Sequence, residues 1–139
     1  MKKLFKGREK STAMSTIIEY YAPFFDLLGN EDRLQIMFML HGSQYIVHGH
    51  EKMTAAEEKS SLKTSIIAEG IGKDQSITIY HLNKLEEGGL VQRVPAMERN
   101  KPVLVWRVTD KWLTFASEFE LDKKVQRYLK EKHPDLYSE

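Results

Sequence analysis

The chain has no cysteine among its 139 residues. Disulfides, thiolate metal sites and cysteine nucleophiles are thereby excluded. No apolar run approaches the roughly 18 residues that a membrane-spanning helix requires. The N-terminal MKKLFKGREK is basic but lacks the apolar stretch of a secretory signal. A cytoplasmic location without membrane association is the resulting expectation. Repeats and low-complexity segments are also missing, and the length suits one domain. Hydrophobic residues make up 41%, enough for a core.

A strong charge of one sign is absent too, since the net charge is +1. The distribution is uneven, however. Residues 1–10 carry +4, residues 11–60 carry −4, residues 61–109 carry +2 and residues 110–139 carry −1. Within 90–109, Arg93, Arg99, Lys101 and Arg107 face only Glu98 in opposition. Such a segment suits a polyanion, although charge runs are commonly solvated surface.

From Ser11 to Leu28, apolar residues recur at helical spacing, with Pro23 inside the run predicting a kink or break. Asn30 is a suitable N-cap for a second helix, Glu31 and Asp32 suit its first turn, and Gly42 suits its end. Gln44 to Val47 fits a short strand and HGHEKM a loop. A helix then restarts either at Thr54, which has capping-box spacing to Glu57, or at Ser60 or Ser61, and ends near Gly70–Gly72. Asp74 caps the next helix, which runs to about Glu87 and stops at Gly88-Gly89. LVQRVP and VLVWRV, joined by the polar AMERNK, read as a hairpin. A single last helix spans Asp110 to about Lys132, ahead of His133-Pro134.

Two helices with Gly72 in the tight turn between them, followed by a hairpin, make a winged helix-turn-helix. The fold class is therefore mainly α with a small β-hairpin (α+β). A basic flexible arm covers 1–10 and a single domain 11–139. That domain divides into an N-terminal helix over 11–28, a core over 30–108 whose wing is 90–108, and a C-terminal helix over 110–133.

Within the helix 74–87, Thr78, Leu82 and Leu85 can face Ile67, Ala68 and Ile71. Gln75, Ser76, Ile79, Tyr80 and Asn83 then look outward. Gln or Asn can bond adenine bidentately, Ser a phosphate or base edge, and an aliphatic group a thymine methyl. Lys73, Lys84, Arg93, Arg99 and Lys101 are candidates for phosphate or the minor groove. The expected partner is double-stranded DNA. The competing account packs Ile79 and Tyr80 under another element and leaves the polar groups as plain surface.

FFDLLGNEDRLQIMFML (24–40) and IIAEGIGKDQSITIYHLNKLEEGGLV (66–91) resemble, in order, the two signature stretches of ArsR-type regulators. The resemblance spans about residues 24–108. It implies a transcriptional regulator acting as a homodimer built from the N- and C-terminal helices. Met14, Ile17, Ile18 and Tyr21 on the first helix, and Trp112, Phe115, Ala116, Phe119, Val125, Tyr128 and Leu129 on the last, are suitable apolar material. The alternative folds both helices back on their own domain. Metal sensors of this family use cysteines, or Asp and His along the last helix; here there is no cysteine, and no His precedes His133 in that helix. No metal or cofactor is expected, and a small-molecule effector is undetermined.

Other groupings point less far. His48 and His50, with His41 upstream and Glu51 next, fall short of a four-ligand site and read as loop histidines. His81 can meet a phosphate or be half-buried. YYAPFF (20–25) can line a small-ligand pocket, though core or dimer packing is the reading adopted. No phosphate loop and no Ser/His/Asp set is present, so an enzyme is not expected. The competing functions are a winged-helix protein-interaction module and a sequence-independent architectural DNA binder.

Overall fold

A computed structural model describes the backbone of residues 8–43 and 61–134, with side chains for 17–43 and 61–134. In order come α1 (Arg8–Leu28), α2 (Glu31–His41), β1 (Leu62–Lys63), α3 (Thr64–Ile71), α4 (Gln75–Glu87), β2 (Val91–Glu98), β3 (Lys101–Val108), α5 (Asp110–Glu118) and α6 (Asp122–Lys132). The strand expected at 44–47, the HGHEKM loop with His48, His50 and Glu51, and the Thr54–Glu57 cap lie outside the described residues. So does the arm up to residue 7; Arg8 to Lys10, expected in the arm, begin α1 instead.

Local chemistry sets most boundaries. Asn30 Oδ1 accepts from the Arg33 backbone N–H at 3.0 Å and opens α2 as expected. Asp74 Oδ1 does the same for Ile77 at 2.9 Å and opens α4. Gly72, at φ 71°, ends α3 in the left-handed conformation that a residue with a side chain resists, and its N–H bonds back into α3. Helix α4 ends at Glu87, with Leu90 N–H donating to Leu85 O at 2.9 Å. The chain passes straight into β2.

The wing strands β2 and β3 pair antiparallel from Val91↔Val108 to Glu98↔Lys101. A third strand, β1, joins the other side of β3 through Leu62↔Trp106 and Lys63↔Val105. The sequence reading put Leu62 in a helix. It pairs in the sheet because Trp106 reaches across: its indole N–H donates to Thr64 Oγ1 at 2.9 Å, at the first residue of α3. Trp106 thereby ties the sheet to the start of α3.

Two further expectations change. Helix α1 runs unbroken through Pro23. Pro23 sits on the exposed side, where a carbonyl deprived of its helical donor is open to water. The last helix, expected as one piece over 110–133, is two. Glu120 adopts φ 52°, Glu120 N–H donates to Ser117 O at 3.1 Å, and Leu121 N–H donates to Ala116 O at 3.0 Å. This is the helix stop that glycine usually makes.

The break folds α6 back on α2, where a Cβ on Gly42 would collide with Leu129. As a result Trp112, Val125 and Leu129 are fully buried within their own chain, and Phe115 and Ala116 nearly so. These side chains were expected at a partner's surface. Of that set, Phe119 is the exposed one, while on α1 Ile17, Ile18 and Phe25 stay exposed at 56%, 60% and 52%. The core gathers Ile36, Met37 and Leu40 of α2, Ile67 and Ile71 of α3, Leu82 and Leu85 of α4, and Trp106 and Trp112.

Candidate nucleic-acid interface

Helix α4 has two faces, as its spacing predicts. Thr78, Leu82 and Leu85 have no exposure, against Ile67, Ala68 and Ile71 of α3, which are buried in turn. Thr78 Oγ1 also donates to the Asp74 carbonyl at 2.8 Å, which satisfies a buried hydroxyl locally. Opposite, Gln75, Ser76, Ile79 and Tyr80 are exposed, as is Ile77. Ser76 Oγ donates to Asp74 Oδ1 at 3.1 Å. The backbone N–H of Ile77 first, and then this Ser76 hydroxyl, hold the Asp74 carboxyl below its usual range.

Asn83 and Arg93 are joined to each other. Arg93 Nη2 donates to Asn83 Oδ1 at 2.9 Å, and its Nε reaches both Glu86 carboxylate oxygens at 2.9 and 3.0 Å. The guanidinium also lies over the Trp106 ring, 5.2 Å from its centroid. Arg93 thus braces the wing against the outward face of α4. Lys73 lies 3.5 Å from Asp32, and Lys84 stands over the Tyr80 ring at 5.7 Å. At the wing tip Arg99 and Lys101 are exposed and have no ion-pair partner among the described residues. The tip is a two-residue turn with Arg99 and Asn100 both at positive φ, 54° and 65°. That is the turn type whose twist suits a hairpin.

His81 does not look outward. It is 7% exposed and faces the start of α2, where Arg33 Nη1 lies 3.3 Å from Nδ1 and Asp32 lies 3.6 Å from Nε2. A guanidinium can only donate, so Nδ1 is the acceptor and the ring proton sits on Nε2, toward Asp32. Burial lowers the pKa of His81 below 6.5; Arg33 beside it adds to this and Asp32 opposes it. Arg33 itself is pinned through Nε to the Leu27 carbonyl at 2.7 Å. No local pattern in the sequence signals this meeting of Asp32 and Arg33 with His81; the fold brings them together.

His41, which the sequence left as a straggler beside the loop histidines, is a buried helical residue. Trp112 donates its indole N–H to His41 Nδ1 at 3.0 Å, and His41 Nε2 then donates to Asp122 Oδ1 at 2.7 Å. This chain of bonds ties α2, α5 and α6 together. Among the described residues, no three of His, Asp and Glu gather for a metal ion, and no helix is long and apolar enough to cross a membrane.

Residues 56–93 match the family of bacterial regulatory proteins described as arsR. That stretch contains α3, the Gly72 turn, α4 and the start of the wing. Among solved structures, the chain is similar to the homodimeric winged helix-turn-helix DNA-binding domain of Mb0332 from Mycobacterium bovis, a possible ArsR-family transcriptional regulator. The TM-score is 0.51 at 18% identity, over 86% of this chain and 91% of that one. This chain is ArsR-like. The matched family is described as one of bacterial regulatory proteins. More distant similarities are to ZitR of Lactococcus lactis in its apo form (TM-score 0.44, 16% identity, 88% and 77% of the two chains). The MarR family regulator NMB1585 of Neisseria meningitidis gives 0.44 at 12%, over 99% and 88%. A comparison with curated proteins finds no match.

Proposed function

We propose that this ArsR-like protein is a sequence-specific, double-stranded DNA-binding transcriptional regulator that acts as a homodimer. Helix α4 enters the major groove, and the wing lies on the backbone or minor groove. The observation that carries this reading is the division of α4: one face is locked in the core and the other presents Gln75, Ser76, Ile79 and Tyr80, while the wing tip carries exposed cations without an ion-pair partner among the described residues. Gln75 and Ser76 sit in the first turn of α4, from which recognition helices reach base edges. Lys84, Arg99 and Lys101 supply phosphate contacts. Arg93 and Asn83, bonded to each other, act as a paired contact or fix the angle between wing and helix.

A second copy is proposed to cover the apolar side of α1, where Ile17, Ile18 and Phe25 are exposed. A two-fold dimer then sets two α4 helices on successive major grooves and requires a roughly palindromic site. The test is fluorescence anisotropy at two salt concentrations, with DNA from upstream of the gene and a scrambled duplex. Tight binding to the first and weaker binding to the second is expected. Equal, salt-steep binding to both would mean an architectural role.

One observation favours a second reading, a protein-interaction module. Lys63, Lys73 and Arg93 on this side are each within 4 Å of an acid, Glu98, Asp32 and Glu86, which lowers the positive field. Absence of binding to either duplex at low salt would select it.

A further inference from the structure

The corner between α5 and α6 separates charge by side. Glu120, Asp122 and Lys123 line a hollow beside His41, and Asp122 is held by that histidine. On the other side lies a hollow of about 350 Å³ walled by Phe25, Leu28, Leu34, Phe38, Phe119 and Leu121, among others. Lys124 is the one charged residue in its lining, is exposed, and makes no ion pair among the described residues.

The walls are aromatic edges and faces. Phe25 meets Phe115 and Phe119 edge-on, with ring centroids 5.6 Å apart in both pairs. A further ring can join such a set in the same geometry. The volume lies in the range of small-molecule pockets, which combine apolar walls with a few placed polar groups. An ammonium in the lining of an otherwise uncharged hollow selects an anion, and the apolar walls select an apolar body. We propose that this hollow binds a small aromatic carboxylate, with the ring among Phe25, Phe38 and Phe119 and the carboxylate on Lys124 Nζ.

The hollow forms because Glu120 takes a left-handed turn, which brings Phe119 and Leu121 to the same wall. Phe25 also lines the neighbouring hollow on α1 with Ile17, Ile18 and Asp26. A ligand there touches the face where a second copy is proposed.

The test uses the full chain without DNA, so its failure leaves the DNA reading untouched. 4-Phenylbutyrate and its uncharged amide are titrated separately into the ¹⁵N-labelled protein. Saturable shifts at Leu34, Phe119, Leu121 and Lys124 are expected for the acid, with weaker binding of the amide. Lys124→Gln should weaken the acid roughly fivefold and leave the amide unchanged, the scale of one exposed charge pair. Lys124→Arg should retain most of the affinity. Both substitutions are on the exposed side of α6 and leave the core intact. Three outcomes overturn the proposal: no saturable binding, equal binding of acid and amide unaffected by Lys124→Gln, or loss of the shifts as sedimentation shows dimer filling the hollow.

Discussion

Three of the described residues hold conformations that their side chains oppose. Arg99 and Asn100 form the wing tip and Glu120 the α5–α6 corner, all at positive φ. A left-handed residue with a Cβ costs about 1 kcal/mol or more relative to glycine. Glu120→Gly should therefore stabilise the protein by about 1 kcal/mol, read as a higher midpoint in urea denaturation. At the tip the same change divides stability from function. Arg99→Gly should raise the melting temperature while weakening every duplex alike and lowering the salt slope of binding. An unchanged slope would remove Arg99 from the DNA contact.

His81 supplies a prediction in pH. Its folded pKa lies below the ordinary 6.5 because it is buried beside Arg33. The unfolded chain then binds the proton more readily, so stability is complete above about pH 6.5 and falls as pH drops toward the folded value. His133, lowered mainly by burial and then by Lys132, acts in the same direction. His81→Gln should flatten this acid-side loss in thermal melts recorded from neutral to mildly acidic pH. Were the slope unaltered, His133 would account for it.

At the scale of elements, the turn between α3 and α4 depends on Gly72. Its φ of 71° suits glycine, and a Cβ there would meet open space, so the penalty for a side chain is conformational alone. Gly72→Ala should cost about 1 kcal/mol in denaturant titration and weaken the proposed binding of α4 to DNA without altering its outward residues. The wing is set by different means. Arg93 reaches Asn83 and Glu86 on α4 and covers Trp106, while Trp106 bonds Thr64 of α3. Sheet and α4 are braced together through these long side chains.

For the whole molecule, the apolar accounting differs from what composition suggests. The C-terminal helices pack on α2 and α1 of their own chain, and among the described residues outside the helix-turn-helix and the sheet the exposed apolar side chains gather on α1 with Phe119. Ile18→Glu, placed at a residue 60% exposed, should leave the circular dichroism of the domain unchanged and shift sedimentation from dimer to monomer. It should also weaken binding to a palindromic duplex more than to a half-site. Retention of the dimer in that variant would move the interface away from α1.

The sequence by itself determined the helix-turn-helix. Asn30 and Asp74 as caps, Gly72 and Gly88 as stops, and the spacing of Thr78, Leu82 and Leu85 are local features whose physics acts within a turn or two of chain. The split of α4 into a core face and an outward face followed from them. The resemblance at 66–91 lies within the stretch that the arsR family match covers. Only the tertiary structure decided the rest. Leu62 became a strand because Trp106, 44 positions later, offers the pairing edge. His81 and His41 became bonded, buried groups because Arg33 and Trp112 meet them from distant helices. The last helix broke at Glu120, a residue type that gives no warning of a left-handed turn, because folding α6 onto Gly42 buries Val125 and Leu129 within the same chain. Capping and spacing act locally and are written in order along the chain. Strand partners, buried hydrogen bonds and the choice between covering one's own core and a neighbour's depend on what the fold brings together.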